Sequence, residues 1–212
     1  MYNRPKIGCM IMASGLGERY GKNKLLEVLC GREVVLRVLD CVSETDVDEI
    51  LIVTRWEGVR NLIEAEKARG AYGTCAGRIR TVLYEGGEQS ASLRTGLLHL
   101  TPCDACLFTA GDQPLLKPAS VTRLLEAWRQ REESERDTVF RLSYGGTGKN
   151  PVLFPKMYFD GLRGLTGDRG GGQLIRRLNL PVRLVEADSE EELLDIDTPK
   201  DFSEAEHFLM TL

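Results

Sequence analysis

The segment from Met12 to Lys24 combines glycines and cations directly after a short apolar run. The three glycines are Gly15, Gly17 and Gly21, and the three cations are Arg19, Lys22 and Lys24. Backbone N–H groups in a glycine-rich turn, together with nearby cations, suit a polyphosphate. An ordinary surface turn would not explain why the cations cluster immediately after a buried strand. The segment therefore predicts a polyphosphate cradle.

Two common phosphate-binding motifs do not fit this segment. A dinucleotide fingerprint needs glycine at position 20, where Tyr20 stands. A Walker loop needs glycine at position 16 and Ser or Thr at position 23, where Leu16 and Asn23 stand. The spacing thus points away from both motif classes.

Three aspartates come next as candidates for chemistry. Asp112 follows the apolar run 105–110, so its carboxylate lies at the end of a predicted strand. Asp195 and Asp197 stand two positions apart in a predicted extended segment, which places both side chains on the same side. Two alternatives stay open: Asp112 as a turn former or helix cap, and Asp197 as the cap of a helix beginning at Pro199.

Histidine and cysteine chemistry has little support. The two histidines, His99 and His207, both fall in predicted helices. The six cysteines are scattered through apolar segments, which is typical of reduced thiols in a cytosol. Cys103 and Cys106 have the spacing of a redox pair, but no second pair completes a zinc site, so we expect buried thiols. Catalysis would rest on carboxylates, lysine, arginine and backbone groups.

The elements that position these residues follow from hydrophobic periodicity. Strands are predicted at 7–12, 50–53, 79–84, 105–110, 138–142, 152–154 and 182–185. Helices are predicted at 34–42, 59–68, 92–100 and 121–130, with a closing helix from Thr198-Pro199. The alternation predicts a three-layer α/β/α sandwich around a mostly parallel sheet, with the ligand site off the carboxyl ends of the strands. We expect an antiparallel excursion around 144–148 and an extra loop at 70–77.

The composition indicates what kind of protein this is and what kind of partner it binds. The chain has 212 residues, 42% hydrophobic and 28% charged, which suits one domain over 1–212. The formal net charge of -4 gives no basic footprint for nucleic acid or an anionic membrane. The N-terminal apolar run, about six residues, is too short for a signal-peptide core or a membrane span. We therefore expect a cytoplasmic protein with a small partner.

The glycine-rich loop resembles the signature of the MobA-like NTP transferases, L-A-(A/G)-G-x-x-x-R-(M/F/Y)-G-x-x-K. The residues on its fixed positions are Ala13, Gly15, Arg19, Gly21 and Lys24. The resemblance implies a nucleotide-diphospho-sugar transferase-like (Rossmann-like) fold. It also implies that the loop, including Ser14, Leu16 and Gly17, wraps a triphosphate, while Arg19 and Lys24 neutralise the departing pyrophosphate. Lys22 falls on a variable position and is interpreted as a solvated charge.

Two acidic segments extend the resemblance. The stretch 109–116 is similar to the family's G-D-Q-P-L-L, and 195–202 is similar to D-I-D-T-P-E-D-L. The resemblance implies that Asp112 and Asp197 hold Mg²⁺, a hard cation that takes few protein carboxylates plus phosphate oxygens. Asp195 would support Asp197. With Arg19 and Lys24, Asp112 completes the predicted catalytic set.

Further segments match on the nucleotide and acceptor sides. The stretch 85–94 resembles the family's base and ribose segment, and its candidate contacts are Gly86, Gln89, Ser90 and Ser92. The stretches 150–154 and 166–170 resemble the elements that line the acceptor side, and their candidates are Asn150, Pro151, Asp168 and Arg169. The stretch 144–149 is not the usual approach to N-P-V-L-F, so the acceptor is less constrained than the nucleotide.

Within the family the resemblance is closest to the molybdenum cofactor cytidylyltransferases, whose loop reads A-A-G where guanylyltransferases read A-G-G. Here Ser14 takes the middle position, and its side chain fills space that glycine would leave for a purine. This implies transfer of CMP from CTP to molybdopterin, with a molybdenum hydroxylase as the recipient of the product. Three alternatives remain: cytidylyl transfer to another phosphorylated small molecule, guanylyl transfer, and a non-catalytic accessory module that binds nucleotide or finished cofactor.

Overall fold

The structure, a computed structural model, describes residues 4–15, 20–86 and 88–211. The strands are β1 (Ile7–Ala13), β2 (Val28–Leu29), β3 (Arg32–Glu33), β4 (Glu49–Thr54), β5 (Ile79–Leu83), β6 (Ala105–Ala110), β7 (Val139–Tyr144), β8 (Thr147–Pro155) and β9 (Val182–Glu186). Seven of them form one sheet in the order β5-β4-β1-β6-β8-β7-β9, and β2 and β3 form a small hairpin. Within the large sheet β8 is antiparallel to both of its neighbours, and the other pairings are parallel. The predicted mostly parallel sheet and the antiparallel excursion are both confirmed.

Helices cover both faces of the sheet and make the three layers that the sequence predicted. They are α1 (Val34–Ser43), α2 (Glu57–Ala68), α3 (Gln89–His99), α4 (Pro118–Arg129), α5 (Phe159–Arg163), α6 (Gly171–Leu178) and α7 (Pro199–Met210). One apolar core joins α1, α2, α4 and α7 to the first face, and a second joins α3, α5 and α6 to the other. All six residues of β4 are buried, because a central parallel strand is covered on both sides.

The turn between β7 and β8 shows why glycines stand there. Tyr144 pairs with Thr147, so Gly145 and Gly146 make a two-residue turn. Their φ angles are 56° and 76°. A hairpin turn of this kind needs positive φ at both central residues, which glycine adopts without steric cost.

The glycine-rich stretch 70–77, predicted as an extra loop, is anchored by a network of charged residues. The Arg32 guanidinium donates two hydrogen bonds of 2.8 Å to Asp40 and one of 2.5 Å to Glu66. The Tyr72 hydroxyl donates to Asp40 at 3.0 Å, so the stretch is tied to α1. The hydrogen bond from Arg32 lowers the pKa of the Glu66 carboxyl below its ordinary value. The stretch continues as a short 3-10 helix, Gly73–Arg78.

The cysteine prediction is confirmed for the spaced pair. Cys103 and Cys106 are buried free thiols. Burial raises the pKa of Cys103 to about 11 and that of Cys106 well above its usual range, so neither is a reactive thiolate. Across the described ranges, no helix combines the length and apolar character needed to cross a bilayer.

Candidate active site

A cleft of about 700 Å³ opens at the carboxyl ends of the strands, on the sheet face that α3, α5 and α6 cover. Strand alternation explains its location, because Met10 and Met12 of β1 both face this side, and Ser14 continues the same row. The glycine-rich loop contributes Ser14 and Gly15 to the cleft wall. A cleft therefore lies where the sequence predicted the ligand site.

Lys24 stands at the centre of the cleft between two carboxylates. Its Nζ lies 2.6 Å from Oδ2 of Asp112 and 3.0 Å from Oδ1 of Asp197. The Asn23 side chain accepts a hydrogen bond from the backbone N–H of Leu25 and so starts the short 3-10 turn that carries Lys24. Lys24 is only 7% exposed, so this ammonium group is held inside the cleft.

The charge state of Lys24 follows from these contacts. Burial alone would lower the pKa of its ammonium group, but Asp112 and then Asp197 outweigh burial and raise the pKa above its ordinary value. Lys24 is therefore positively charged at neutral pH. By contrast, Lys22 is exposed and pairs with Glu27 at 2.6 Å, which confirms that it is a solvated charge.

Backbone contacts bring Asp112 and Asp197 together. The N–H of Gly111 donates to Met12 O at 3.0 Å, which seats the Asp112 turn against the end of β1. The N–H of Ile196 donates to Asp112 O at 2.9 Å, which fixes the C-terminal acidic segment beside that turn. These contacts place the segments of the two aspartates side by side.

The helix-cap alternatives are wrong for both aspartates. Thr198 caps α7: its hydroxyl accepts from the Asp201 N–H, and the Asp201 carboxylate accepts from the Thr198 N–H. Helix α4 begins at Pro118 after Lys117, well beyond Asp112. The N-cap residues of α4 and α7 are thus Lys117 and Thr198, and both aspartates line the cleft with Lys24.

A buried acidic residue strengthens the same junction. Glu192 is fully buried; its Oε2 accepts a 2.6 Å hydrogen bond from Ser120, and its Oε1 lies 3.1 Å from Lys117 Nζ. The Gln113 amide donates to Leu193 O at 3.3 Å. These contacts clamp the segment that leads to Asp197 onto the loop and helix that follow Asp112.

Asp195 also lines the cleft, on the same side as Asp197, as the alternation predicted. Its side chain retains solvent access, but the surrounding cleft walls partly desolvate it. This desolvation, followed by the charges of Asp112 and Asp197, raises the pKa of Asp195 to about 6. Asp112, Asp195 and Asp197 together bring three carboxyl groups to this part of the cleft.

Only some of the residues predicted in the glycine-rich loop and in the base and ribose segment line the cleft. Gln89 and Ser92, in the first turn of α3, line it, whereas Ser90 is buried and its N–H donates to Gly167 O. Gly86, whose φ is 149°, is not among the residues that line the cleft. Ala13 does not line the cleft either, because it is buried in the core on the opposite face of the sheet. Leu16, Gly17 and Arg19 lie outside the described residues.

On the acceptor side the structure brings Asn150 and Asp168 to the cleft but not Pro151 or Arg169. Pro151 is buried within β8, and Arg169 is exposed. The Asp168 carboxylate accepts a 3.3 Å hydrogen bond from the N–H of Gln89, so the acceptor and nucleotide walls are connected.

The sequence did not predict the apolar wall of the cleft. It is formed by Met12, Tyr84, Leu93, Phe108, Val152, Phe154 and Leu162. Most of these residues belong to the core beneath α3 and α5, so only their edges reach the cleft. Strand alternation could have revealed them, because Phe108, Val152 and Phe154 occupy positions on one face of β6 and β8.

The donor set fits a hard divalent cation. Asp112 and Asp197 both contact one cationic group, the Lys24 ammonium, so their oxygens converge on one point. Mg²⁺ typically binds through one or two carboxylates plus substrate phosphates and waters. Residues 4–15, 20–86 and 88–211 contain no group of three or more His, Cys, Asp or Glu side chains arranged to hold a metal. Two carboxylates with phosphate oxygens therefore match the site better than an all-protein cage.

Comparison with known families identifies the fold and chemistry class. The model of the MobA-like NTP transferase domain matches residues 9–182. The chain belongs to this family. Members of the MobA-like family are nucleotidyltransferases, and the matched range includes Lys24 and Asp112 but ends before Asp197.

Individual relatives agree with this assignment. A 2-C-methyl-D-erythritol 4-phosphate cytidylyltransferase from Dehalococcoides mccartyi (strain CBDB1) is 26% identical over 99% of this chain and 98% of its own length. A structure titled a nucleotidyl transferase from Methanothermobacter thermautotroptrophicus superposes with a TM-score of 0.78 at 25% identity, covering 98% of this chain and 99% of that one.

Two more distant structures share the fold. Rv0371c from Mycobacterium tuberculosis H37Rv, in a complex with manganese, has a TM-score of 0.72 at 23% identity and covers 95% of this chain and 98% of that one. Molybdopterin-guanine dinucleotide biosynthesis protein A from Archaeoglobus fulgidus has a TM-score of 0.65 at 21% identity and covers 97% of this chain and 100% of that one. The nucleotide-diphospho-sugar transferase-like architecture is thereby confirmed.

Proposed function

We propose that this protein transfers CMP from CTP to a phosphate-bearing acceptor, with molybdopterin as the first candidate, and releases pyrophosphate. The convergence of Lys24, Asp112 and Asp197 in one cleft carries the proposal. The cleft lies beside a glycine-rich loop, and a cation together with two carboxylates is the equipment that phosphate transfer needs.

In the proposed reaction an oxygen of the acceptor phosphate attacks the α-phosphorus of CTP in line. A bond forms between that oxygen and the α-phosphorus, and the bond to the β-phosphate oxygen breaks, so pyrophosphate leaves with the electron pair. Lys24 and Arg19 stabilise the negative charge that grows on the leaving group. The loop backbone holds the triphosphate in the geometry of attack.

The two aspartates complete the electrostatics. Asp112 and Asp197 would hold Mg²⁺, which supplies positive charge to the phosphate oxygens when it is bound. Neither side chain acts as a general base, because an acceptor phosphate is already anionic at neutral pH. Asp195 raises the negative charge beside both carboxylates and so favours a cation at this point.

Ser14 supports CTP as the nucleotide. It is half-buried and lines the cleft, next to Gly15, whose carbonyl accepts a 3.2 Å hydrogen bond from the Trp56 indole. The anchored backbone holds the Ser14 side chain in place, where it would crowd a purine more than a pyrimidine. Transfer of a guanylyl group would need the space that the Ser14 side chain fills to be open for the guanine base.

The apolar wall of the cleft favours an acceptor with a flat ring system. Phe108, Val152 and Phe154 present carbon surface to the cleft, and Gly171 lies close to the Phe154 ring, where an added Cβ would be 2.7 Å from Cε2. A heteroaromatic ring such as a pterin buries well against such a wall, whereas a polyol would leave hydroxyls facing carbon. The product would then pass to a molybdenum hydroxylase.

A second candidate is 2-C-methyl-D-erythritol 4-phosphate as the acceptor. The full-length similarity to a cytidylyltransferase of that name favours it. Both candidates share CTP, and they differ only at the acceptor wall.

Pyrophosphate release tests the proposal. The purified protein is assayed with Mg²⁺ and each NTP, without acceptor, with molybdopterin and with 2-C-methyl-D-erythritol 4-phosphate. We expect release with CTP and molybdopterin together. Release with the erythritol phosphate alone selects the second candidate. Tight CTP binding with no release under any condition would identify a non-catalytic accessory module instead.

A further inference from the structure

The chain that leaves the end of β4 lies against both ends of the glycine-rich loop. It runs from Thr54, the last residue of β4, to Gly58 in the first turn of α2, and we call it the β4–α2 junction. Residues 54–58 are not among those that line the cleft, and none stands in a motif on which the family resemblance rests. Two contacts of the junction are made to backbone carbonyls of the loop.

The Thr54 hydroxyl joins β4 to the start of the loop. It donates a hydrogen bond of 2.6 Å to the Ala13 carbonyl oxygen, and it accepts one of 3.1 Å from the backbone N–H of Trp56. Thr54 and Ala13 are both fully buried, so water cannot take the place of the bond between them. The hydroxyl therefore fixes the direction of the Ala13 carbonyl.

The Trp56 side chain adds a second attachment, two residues further along the loop. Its indole N–H donates to the carbonyl oxygen of Gly15 at 3.2 Å. The indole is partly buried against the core of the sheet face that α1 and α2 cover, which restricts its own movement. In an extended chain alternate carbonyls point to the same side, so those of Ala13 and Gly15 both turn towards the β4–α2 junction.

The β4–α2 junction also contacts the turn that carries Lys24. A Cβ added to Gly58 would lie 3.0 Å from Cδ1 of Leu26, the last residue of that short 3-10 turn. The absence of a side chain at Gly58 lets the first turn of α2 come this close. One rigid segment thus holds both the start of the loop and the turn at its end.

The attachment at Ala13 sets the direction of a loop N–H group. A peptide unit is planar and trans, so a carbonyl and the N–H of the next residue point in opposite directions. The Ala13 carbonyl points towards β4, and the N–H of Ser14 therefore points towards β6, on the other side of β1. Asp112, which follows β6, and its ion-pair partner Lys24 lie on that side. The Ser14 N–H is thus turned to the part of the cleft where the triphosphate is proposed to bind.

We propose that Thr54 and Trp56 are positioning residues for nucleotidyl transfer, which set the loop backbone in the conformation that binds the triphosphate. The inference rests on the proposed function, because it assigns the loop to the triphosphate of the nucleotide. Neither side chain touches the substrate in this assignment. A backbone that already has the bound conformation loses less entropy on binding, so its N–H groups bind phosphate more tightly.

Calorimetry with two ligands tests the positioning role without turnover. Inorganic tripolyphosphate with Mg²⁺ probes the cradle alone, and CMP probes the contacts to the base, the ribose and one phosphate. The variants are Trp56→Phe, which removes the indole N–H, and Thr54→Val, which removes the hydroxyl and keeps the shape of the side chain. We expect each variant to raise the Kd for tripolyphosphate at least fivefold and to leave the Kd for CMP within twofold.

Two controls separate positioning from general stability. Trp128→Phe makes the same change at the other tryptophan, a fully buried residue of α4 whose Nε1 has no hydrogen-bond partner within the described ranges. This control should keep the Kd for tripolyphosphate within twofold of wild type, even where its Tm is lower. Thr54→Ser keeps the hydroxyl and should return the Kd to within twofold of wild type.

The outcomes distinguish a failure of this inference from a failure of the proposed function. An unchanged Kd for tripolyphosphate in the Trp56 and Thr54 variants, an equal rise for both ligands, or the same loss in Trp128→Phe would overturn the positioning role. Absence of tripolyphosphate binding by the wild-type protein would overturn it too. If the wild-type protein binds tripolyphosphate but releases no pyrophosphate from any NTP, the proposed function fails, and the Kd values still decide the positioning role. With turnover, the variants should raise the KM for CTP and leave that for the acceptor within twofold.

Discussion

The ammonium group of Lys24 lies 2.6 Å from Oδ2 of Asp112, and the lysine is almost completely withdrawn from solvent. Taking such a pair out of water costs free energy, which a buried ion pair rarely recovers in full. An ion pair on the surface would cost less desolvation free energy during folding. The arrangement is therefore better explained by the phosphate chemistry of the cleft than by stability.

Replacing Lys24 by methionine should lower kcat/KM for CTP about 100-fold. One electrostatic donor to a developing charge contributes about 3 kcal/mol, and methionine keeps the length of the side chain without its charge. Initial rates of pyrophosphate release measure the loss. Lys22→Met is the matched control, since Lys22 is exposed and paired with Glu27; a comparable loss in both variants would contradict the role of Lys24.

Asp112→Asn should abolish metal-dependent turnover while the fold is retained. The amide keeps the side-chain shape, and the backbone carbonyl still accepts from Ile196, but a charged metal ligand is lost. The rate is measured against Mg²⁺ concentration, and circular dichroism reports the fold. Asp188→Asn, on the surface beside Arg123, serves as the control. An unchanged Mg²⁺ dependence in the Asp112 variant would exclude it as a ligand.

Ser14→Gly should shift nucleotide preference toward GTP. Removing the side chain opens the space that a purine needs, and such a steric change is worth about 1–3 kcal/mol in discrimination. The ratio of kcat/KM for GTP to that for CTP should rise at least tenfold. A ratio that does not change would show that another group selects the base.

Gly111→Ala should reduce both stability and activity. An added Cβ would lie 3.1 Å from Ala13 Cβ and 3.2 Å from Met12 O, and because part of this neighbourhood is backbone it cannot move aside easily. Overpacking of this kind costs about 1–3 kcal/mol and would displace Asp112 from Lys24. Urea unfolding and pyrophosphate release measure the two effects. Gly164→Ala, with ordinary contacts of 3.5 Å, should be nearly neutral.

Arg32→Met should destabilise the fold by about 3 kcal/mol at pH 7, because Glu66 and Asp40 lose their shared partner. Arg32 depresses the pKa of Glu66, so its stabilising effect is present above the unfolded pKa and is lost as pH falls through the folded pKa. The difference between wild type and variant should therefore shrink from pH 7 to pH 3. Denaturant midpoints at both pH values test this, and a constant difference would refute it.

The fold could be predicted because its buried strands are apolar throughout. The run 105–110 was predicted with the bounds that β6 has, and α1 differs by one residue at its end. The bounds of β8 were too short, since residues 147–151 are added by hydrogen bonding to β7 and not by an apolar pattern. Helix α3 begins three residues before its predicted start, where polar side chains hide the first turn.

The candidate site was predictable where a motif carries it and not where tertiary contacts do. Asp112, Asp197 and Lys24 came from short motifs, and all three line the cleft. Their ion pairs depend on the joining of distant segments, which periodicity does not encode.

The hydrogen bond between Ile196 and Asp112 also has a consequence for shortened forms of the chain. Asp197 belongs to a segment that follows every strand of the sheet, and only this late segment supplies the second carboxylate. A chain cut directly after β9 would keep every strand of the large sheet but would lack Asp197 and helix α7, which packs against the core of one face. Such a shortened chain would therefore lose a carboxylate of the cleft and part of the packing of the sheet together.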